Sequence, residues 1–133
     1  MDLSDHILKR QAERLLLLEY IYQQVEVKGE KAVETWTFME KHAMAAPDLI
    51  RAVEYLKGEN LIRKMGDRGE GFMLVTLSHL GVVEIEAAHR RPKEGTLHFS
   101  PQVVNHFYGE VKMQQGNQNT LLVDERPRGN EDE

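Results

Sequence analysis

Apolar and polar positions change period several times along this chain, and the changes mark its elements. From Ile7 to Val25 the residues Ile7, Leu8, Leu15, Leu18, Tyr22 and Val25 keep helical spacing, and Ser4 stands where an N-cap is expected. Leu15, Leu16, Leu17 and Leu18 sweep about 300° at helical pitch and cannot share one face. A helix apolar on more than one side must be buried on more than one side. Either this first helix is the centre of a monomer, or one side faces a second subunit.

After the turn Lys28-Gly29-Glu30-Lys31, the residues Ala32 to Thr35 suit a short strand, and Trp36, Phe38, Met39 and His42 mark a short helix. Ala43-Met44-Ala45 is the turn to a second helix, with Met44 placed to plug the two together. Ala46 to Lys57 repeats Leu49, Ala52, Val53 and Leu56 at i, i+3, i+4 and i+7. It opens with Pro47, whose fixed φ and missing N–H suit a helix start, and Gly58 is expected to stop it. Leu61 and Ile62 begin an extended run. Gly66, Gly69 and Gly71 mark a loop, and Met73, Val75 and Leu77 alternate as in a half-buried strand. Ser78 is placed to cap a last helix, on which Leu80, Val83 and Ala87 make one face, widened by Val82 and Ile85. Arg91-Pro92 ends it, because the residue before proline is pushed from helical geometry.

The last forty residues hold glycines and amides without a helical period. Val111, Met113 and Gln115 alternate against Lys112 and Gln114 between Gly109 and Gly116, as a short strand would, and the polar, acidic end reads as disorder. The organisation expected is a folded domain over 1–92, an extension over 93–123 with a short β hairpin, and a disordered acidic tail over 124–133. The fold class expected is mainly α with a small β hairpin, that is, α+β.

AVEYLKGENLIRK, the glycine-rich GDRGEG and LVTLSHLGVVEIE give this stretch a resemblance to winged helix-turn-helix regulators of the broad MarR- and PadR-like bacterial kind, over about residues 30–90. The resemblance implies a winged helix-turn-helix with a long N-terminal helix and an irregular C-terminal tail. It also implies a homodimer formed through terminal helices, and a second helix that enters the major groove of double-stranded DNA while the wing touches backbone. Carried onto this chain, Arg51 would read a base, since its donor fork matches guanine edges, and Arg63, Lys64 and Arg68 would hold phosphates. The expected function is a DNA-binding transcriptional regulator.

Charge and composition alter that picture. The chain of 133 residues has a formal net charge of −5, unusual for a partner of a polyanion. Residues 46–92 carry seven basic and seven acidic side chains, so the reading head is neutral. Asp48 and Glu54 on its outward face would repel phosphate. Ile50 and Tyr55, also outward, suit either a protein partner or burial under the first helix. The segment Asn105 to Thr120 resembles short glycine/asparagine motifs at the ends of some bacterial signalling proteins, some of which stack as β structure. A rival reading therefore stands: a winged-helix protein-interaction or self-assembly module without DNA binding, working through Ile50, Tyr55 or residues 105–123.

Other chemistry finds little footing. No cysteine is present, which excludes disulfides, Cys-zinc sites and thiol catalysis. Among the six histidines, His89 stands at i+3 from Glu86 on a helix, a spacing that can chelate one metal, and a di-metal carboxylate site would need a second such pair. GDRGEG lacks the lysine and hydroxyl residue of a phosphate-binding loop. No enzyme, cofactor or metal is expected. No apolar run is long enough to span a bilayer and the start lacks the pattern of a signal peptide, so the expected location is cytoplasmic.

Overall fold

A computed structural model describes residues 2–109. The protein is mainly helical with a small three-stranded antiparallel sheet. The first helix, α1, runs Leu3–Tyr22 and continues through a π-helical segment at Gln23–Val27. Its cap is Asp2 and not Ser4: the Asp2 carboxylate accepts the Asp5 N–H at 2.9 Å. A full negative charge at the positive end of the helix is favoured over a hydroxyl there. Leu15, Leu17, Leu18 and Ile21 are all completely buried, as a helix apolar on several sides requires.

Strand β1, Val33–Glu34, leads directly into α2, Thr35–His42, and α3 follows over Ala46–Gly58. The turn between the helices puts Ala43 in the left-handed region, and Met44 N–H closes it on Met39 C=O at 3.0 Å. Met44 is half-buried at that junction. Leu49, Ala52, Val53 and Leu56 form the buried face of α3, in the phase their spacing predicts. The helix stops later than the glycine suggests. Gly58 is still helical, and Asn60 takes the left-handed position, with Leu61 N–H on Leu56 C=O at 2.9 Å and Asn60 N–H on Lys57 C=O at 3.0 Å. Asparagine tolerates this geometry nearly as well as glycine, and the buried Leu56 and Leu61 sit at the two ends of the closing bond.

Strands β2, Ile62–Asp67, and β3, Met73–Leu77, form the hairpin, and the sheet order is β1-β3-β2. Val33 pairs with Val75 and Glu34 with Leu74, so the hairpin gains a third strand from the segment before α2. On β2 the register slips between Lys64, opposite Val75, and Gly66, opposite Leu74, and Met65 is the extra residue of a bulge. Val33, Ile62, Met73, Val75 and Leu77 are buried, whereas Glu34, Leu74, Arg63 and Met65 are exposed.

Helix α4 spans His79–Arg90, with Ser78 Oγ accepting the Gly81 N–H at 3.2 Å, as a cap does. Its buried positions are Gly81, Glu84, Ile85 and Ala88, and Leu80 and Val83 are about half exposed. The expected face through Leu80, Val83 and Ala87 is therefore rotated. The reason is Gly81, where a Cβ would lie 2.2 Å from the Leu61 carbonyl oxygen. The helix backbone approaches the end of α3 there, and that approach sets the phase.

The chain divides into two units, Met1–Ala87 and Ala88–Glu133. In the second, Thr96 and Phe99 close a turn, Thr96 N–H on Phe99 C=O at 2.9 Å and Phe99 N–H on Thr96 Oγ1 at 3.1 Å. A short helix α5, Pro101–Val104, runs into a π-helical turn at Asn105–Gly109. Phe99, Val103, Val104 and Tyr108 are buried, and the His89 and Tyr108 rings lie 4.0 Å apart. This stretch is helical where no helical period was read, because four residues are too few to show one. The strand expected at Val111–Gln115, most of the Asn105–Thr120 motif, and the tail over 124–133 lie outside the described residues.

Candidate interaction surface

The four cations expected to meet DNA fall into two kinds. Arg51 is exposed on α3, but its Nη1 lies 3.0 Å from Asp48 Oδ1, and Arg10 of α1 reaches the same oxygen at 2.8 Å. Lys64 on β2 is held between Glu54 Oε2 and Asp67 Oδ2, both at 3.1 Å, and Lys57 is 3.9 Å from Glu54. Hydrogen bonds to Asp67 and then Glu54 raise the Lys64 pKa above its ordinary value. Both side chains thus bring carboxylates with them to anything they touch. Arg63 and Arg68 are exposed and have no carboxylate at ion-pair distance among the described residues. The structure does not gather the four into one cationic strip: two are matched by carboxylates, and the other two stand apart on the hairpin.

The outward apolar pair on α3 also separates. Tyr55 is half-buried with the Arg14 guanidinium of α1 over its ring, 3.9 Å from the centroid, while Ile50 remains exposed. Burial raises the Tyr55 hydroxyl pKa, and Arg14 offsets part of that.

The more distinctive surface lies across the outer side of the sheet. A cleft of about 490 Å³ is lined by Glu34, Trp36, Gly66, Asp67, Arg68, Phe72, Met73 and Leu74, a volume in the range of small-ligand and anchor-residue pockets. The strand register explains its shape. Glu34, Leu74 and Gly66 lie in one row across three strands, and Gly66 leaves the end of that row open. Trp36, in the first turn of α2, rises beside Glu34 and donates its indole N–H to Glu34 Oε1 at 3.2 Å. The opposite wall is the loop from Asp67 to Phe72. Arg68 N–H bonds to Phe72 C=O at 2.8 Å, Asp67 Oδ1 accepts Gly69 N–H at 2.8 Å, and Gly69, Glu70 and Gly71 all take positive φ. The Gly69 N–H, with Lys64, holds the Asp67 carboxyl below its ordinary pKa.

Thr35 ties the two walls together. Its buried Oγ1 accepts Met73 N–H at 2.9 Å and also hydrogen-bonds the Gly71 carbonyl. A Cβ at Gly71 would sit 2.9 Å from Met39 Sδ, so the loop is pressed onto α2. The cleft is therefore built on fixed backbone, yet Trp36, Phe72 and Leu74 keep 40%, 45% and 37% of their surface exposed. Three large apolar side chains left open around one cleft form the kind of patch that marks an interaction site.

Sequence reasoning missed this surface. Trp36 enters the sequence reading only as one mark of a short helix, and Phe72 lies inside a loop where no period exists. Leu74 was legible, since strict alternation with Met73 and Val75 already turned it outward.

Among the described residues, no three histidine, aspartate or glutamate side chains converge on a common point. The expected pair on α4 is engaged separately: Glu86 Oε2 accepts the Tyr22 hydroxyl at 2.9 Å, and the His89 ring packs on Tyr108. No described helix is long and apolar enough to cross a membrane. No family model, curated protein or solved structure matches the chain. The fold and the cleft are accordingly read from their own geometry.

Proposed function

We infer that the chain is a winged-helix module that binds a protein partner through the outer face of its sheet and does not act chiefly as a DNA reader. Support for the winged helix is the order of helix, short turn, helix and hairpin, with β1 added to the hairpin edge before the first of those helices. The observation that carries the functional reading is the open cleft with Trp36, Phe72 and Leu74 at its walls and floor. Aromatic anchors and their pockets dominate protein interfaces. On the α3 face, by contrast, Asp48 and Glu54 accompany Arg51 and Lys64, and a phosphate approaching either cation also meets a carboxylate.

DNA binding is the second reading, favoured by exposed Arg63 and Arg68 on the hairpin. Two phosphate contacts would give weak, strongly salt-dependent association.

Two measurements run side by side separate these readings. Anisotropy of labelled duplex DNA is followed from about 50 mM salt upward, and partners are captured on the immobilised chain. The expected result is no DNA affinity at the lowest salt, and a captured protein that Phe72→Ser no longer retains. DNA bound with a steep salt slope, lost in Arg63→Ala plus Arg68→Ala and untouched by Phe72→Ser, would overturn the proposal.

A further inference from the structure

The cleft also carries information about what enters it. Strand addition is disfavoured at both sheet edges. β1 is two residues long, and β2 carries the Met65 bulge, which breaks the regular ladder a new strand would need. Recognition then falls to side chains entering the cleft from the face. Its floor, Leu74 over Gly66 and Met73, is apolar and suits an aliphatic group. Trp36 and Phe72 line the same cleft, and their rings do not touch one another.

Charge decides the rest. Asp67 is already occupied by Lys64 and the Gly69 N–H, and Arg68, which has no carboxylate at ion-pair distance among the described residues, puts a positive charge on that same wall, so a cation fits only against the other wall. Glu34 is different: its only partner among the described residues is the Trp36 indole N–H, and it is exposed. A carboxylate held by its oxygen at the edge of an indole, with a second aromatic ring lining the same cleft, is complementary to a cation with an aliphatic stem. Such a group gains from the ring quadrupole and from the carboxylate together.

We propose that this cleft receives a lysine or arginine side chain of the partner protein, seated between Trp36 and Phe72 with its charge against Glu34 and a neighbouring aliphatic residue on Leu74. The inference rests on the partner-binding reading above and narrows it to a basic-apolar segment.

Trp36 is the only tryptophan in the chain, so its fluorescence reports directly on the cleft. The probes are three acetylated, amidated tripeptides, Leu-Lys-Leu, Leu-norleucine-Leu and Leu-Glu-Leu, titrated into the full chain. The lysine peptide is expected to bind roughly three- to thirty-fold more tightly than the norleucine peptide, and the glutamate peptide most weakly. Glu34→Gln, which keeps an acceptor for the indole, should erase the preference for lysine. Glu34→Lys should turn it toward the glutamate peptide. Equal or better binding of the norleucine peptide overturns the cation proposal and leaves partner binding standing. No response to any peptide, while a captured protein is still lost in Phe72→Ser, also overturns it and spares the broader reading. No response and no Phe72-dependent partner sinks both.

Discussion

Arg10 on α1 and Asp48 in the first turn of α3 meet at 2.8 Å, across thirty-eight residues of sequence. The same carboxylate oxygen accepts Arg51 at 3.0 Å, and Glu13 holds Arg10 from the other side at 3.0 Å. The residue expected to read a base is therefore one arm of a cluster that fastens α3 to α1. Asp48 is also well placed at the helix N-terminus, where a negative charge is favoured.

A pH dependence follows. The Arg10 hydrogen bond, chiefly, holds the Asp48 carboxyl below its ordinary range. As pH falls, the unfolded chain takes up this proton before the native one. The stabilisation is thus complete above about pH 4 and is lost as pH drops through the native value. Asp48→Asn should lower the melting temperature by roughly 2–5 °C at neutral pH, and the difference from the parent chain should narrow as pH falls below the ordinary aspartate range. Calorimetric melts across that range check both the size and the sign.

Thr35 gives a prediction about the cleft. Its hydroxyl is completely buried and serves the Met73 N–H and the Gly71 carbonyl together. Valine has the same shape but leaves both backbone groups without their partner, at about 1–3 kcal/mol each. Thr35→Val should cost about 2–4 kcal/mol in denaturant unfolding and make the Asp67–Phe72 loop the first site of limited proteolysis. A loss confined to global stability, with that loop still protected, would show that the hydroxyl does not hold it.

Legibility in the sequence tracked how local each determinant is. The buried face of α3 and the Ser78 cap were readable because spacing and one side chain settle them. The β1 strand, Val33–Glu34, falls inside the stretch Ala32 to Thr35 read as a strand, although Thr35 already opens α2. The phase of α4 was not readable, because Gly81 sets it by touching the Leu61 carbonyl, a contact with no periodic signature. The end of α3 was misplaced for a related reason: Asn60 and Gly58 both offer a stop, and the bond from Leu61 to Leu56 selects the asparagine. At the candidate site, Arg51, Arg63, Lys64 and Arg68 were legible as cations. The Arg51–Asp48 and Lys64–Asp67 pairs are local, three residues apart, whereas Lys64 meets Glu54, and Arg10 meets Asp48, only because the tertiary fold brings β2 and α1 to α3. Trp36 and Phe72 share a cleft only because Thr35 and Gly71 press the loop onto α2.

Gly58 and Gly81, both in α-helices, should respond to alanine with opposite signs. Gly58, in the last turn of α3, has open space where a Cβ would be and an ordinary helical φ. Alanine there should stabilise by about 0.5–1 kcal/mol, mainly by restricting the unfolded chain. At Gly81 the new methyl would meet the Leu61 carbonyl oxygen at 2.2 Å and Leu77 Cδ1 at 2.7 Å. Backbone on one side leaves little room to yield, and Gly81→Ala should cost about 2–4 kcal/mol. Urea midpoints of the two variants, measured against the parent chain, test the pair.

The first helix bears on oligomeric state. Its leucines on several sides left a second subunit as one way to bury them, yet Leu15, Leu17, Leu18 and Ile21 are fully buried within a single chain. Dimerisation is not needed to bury these four residues. Leu17→Ala should therefore cost about 2–5 kcal/mol through the cavity it leaves, with a midpoint independent of protein concentration. Besides Leu3 and Ile7 on α1, Leu80 and Val83, about half exposed on α4, are an apolar pair open to a second copy. Two side chains fall far short of the roughly 800 Å² per partner that a stable interface buries. Replacing both with serine should change stability by less than about 0.5 kcal/mol and leave the mass in light scattering unchanged. A denaturation midpoint that rises with concentration in the parent chain and not in the double variant would instead place a dimer interface on that face.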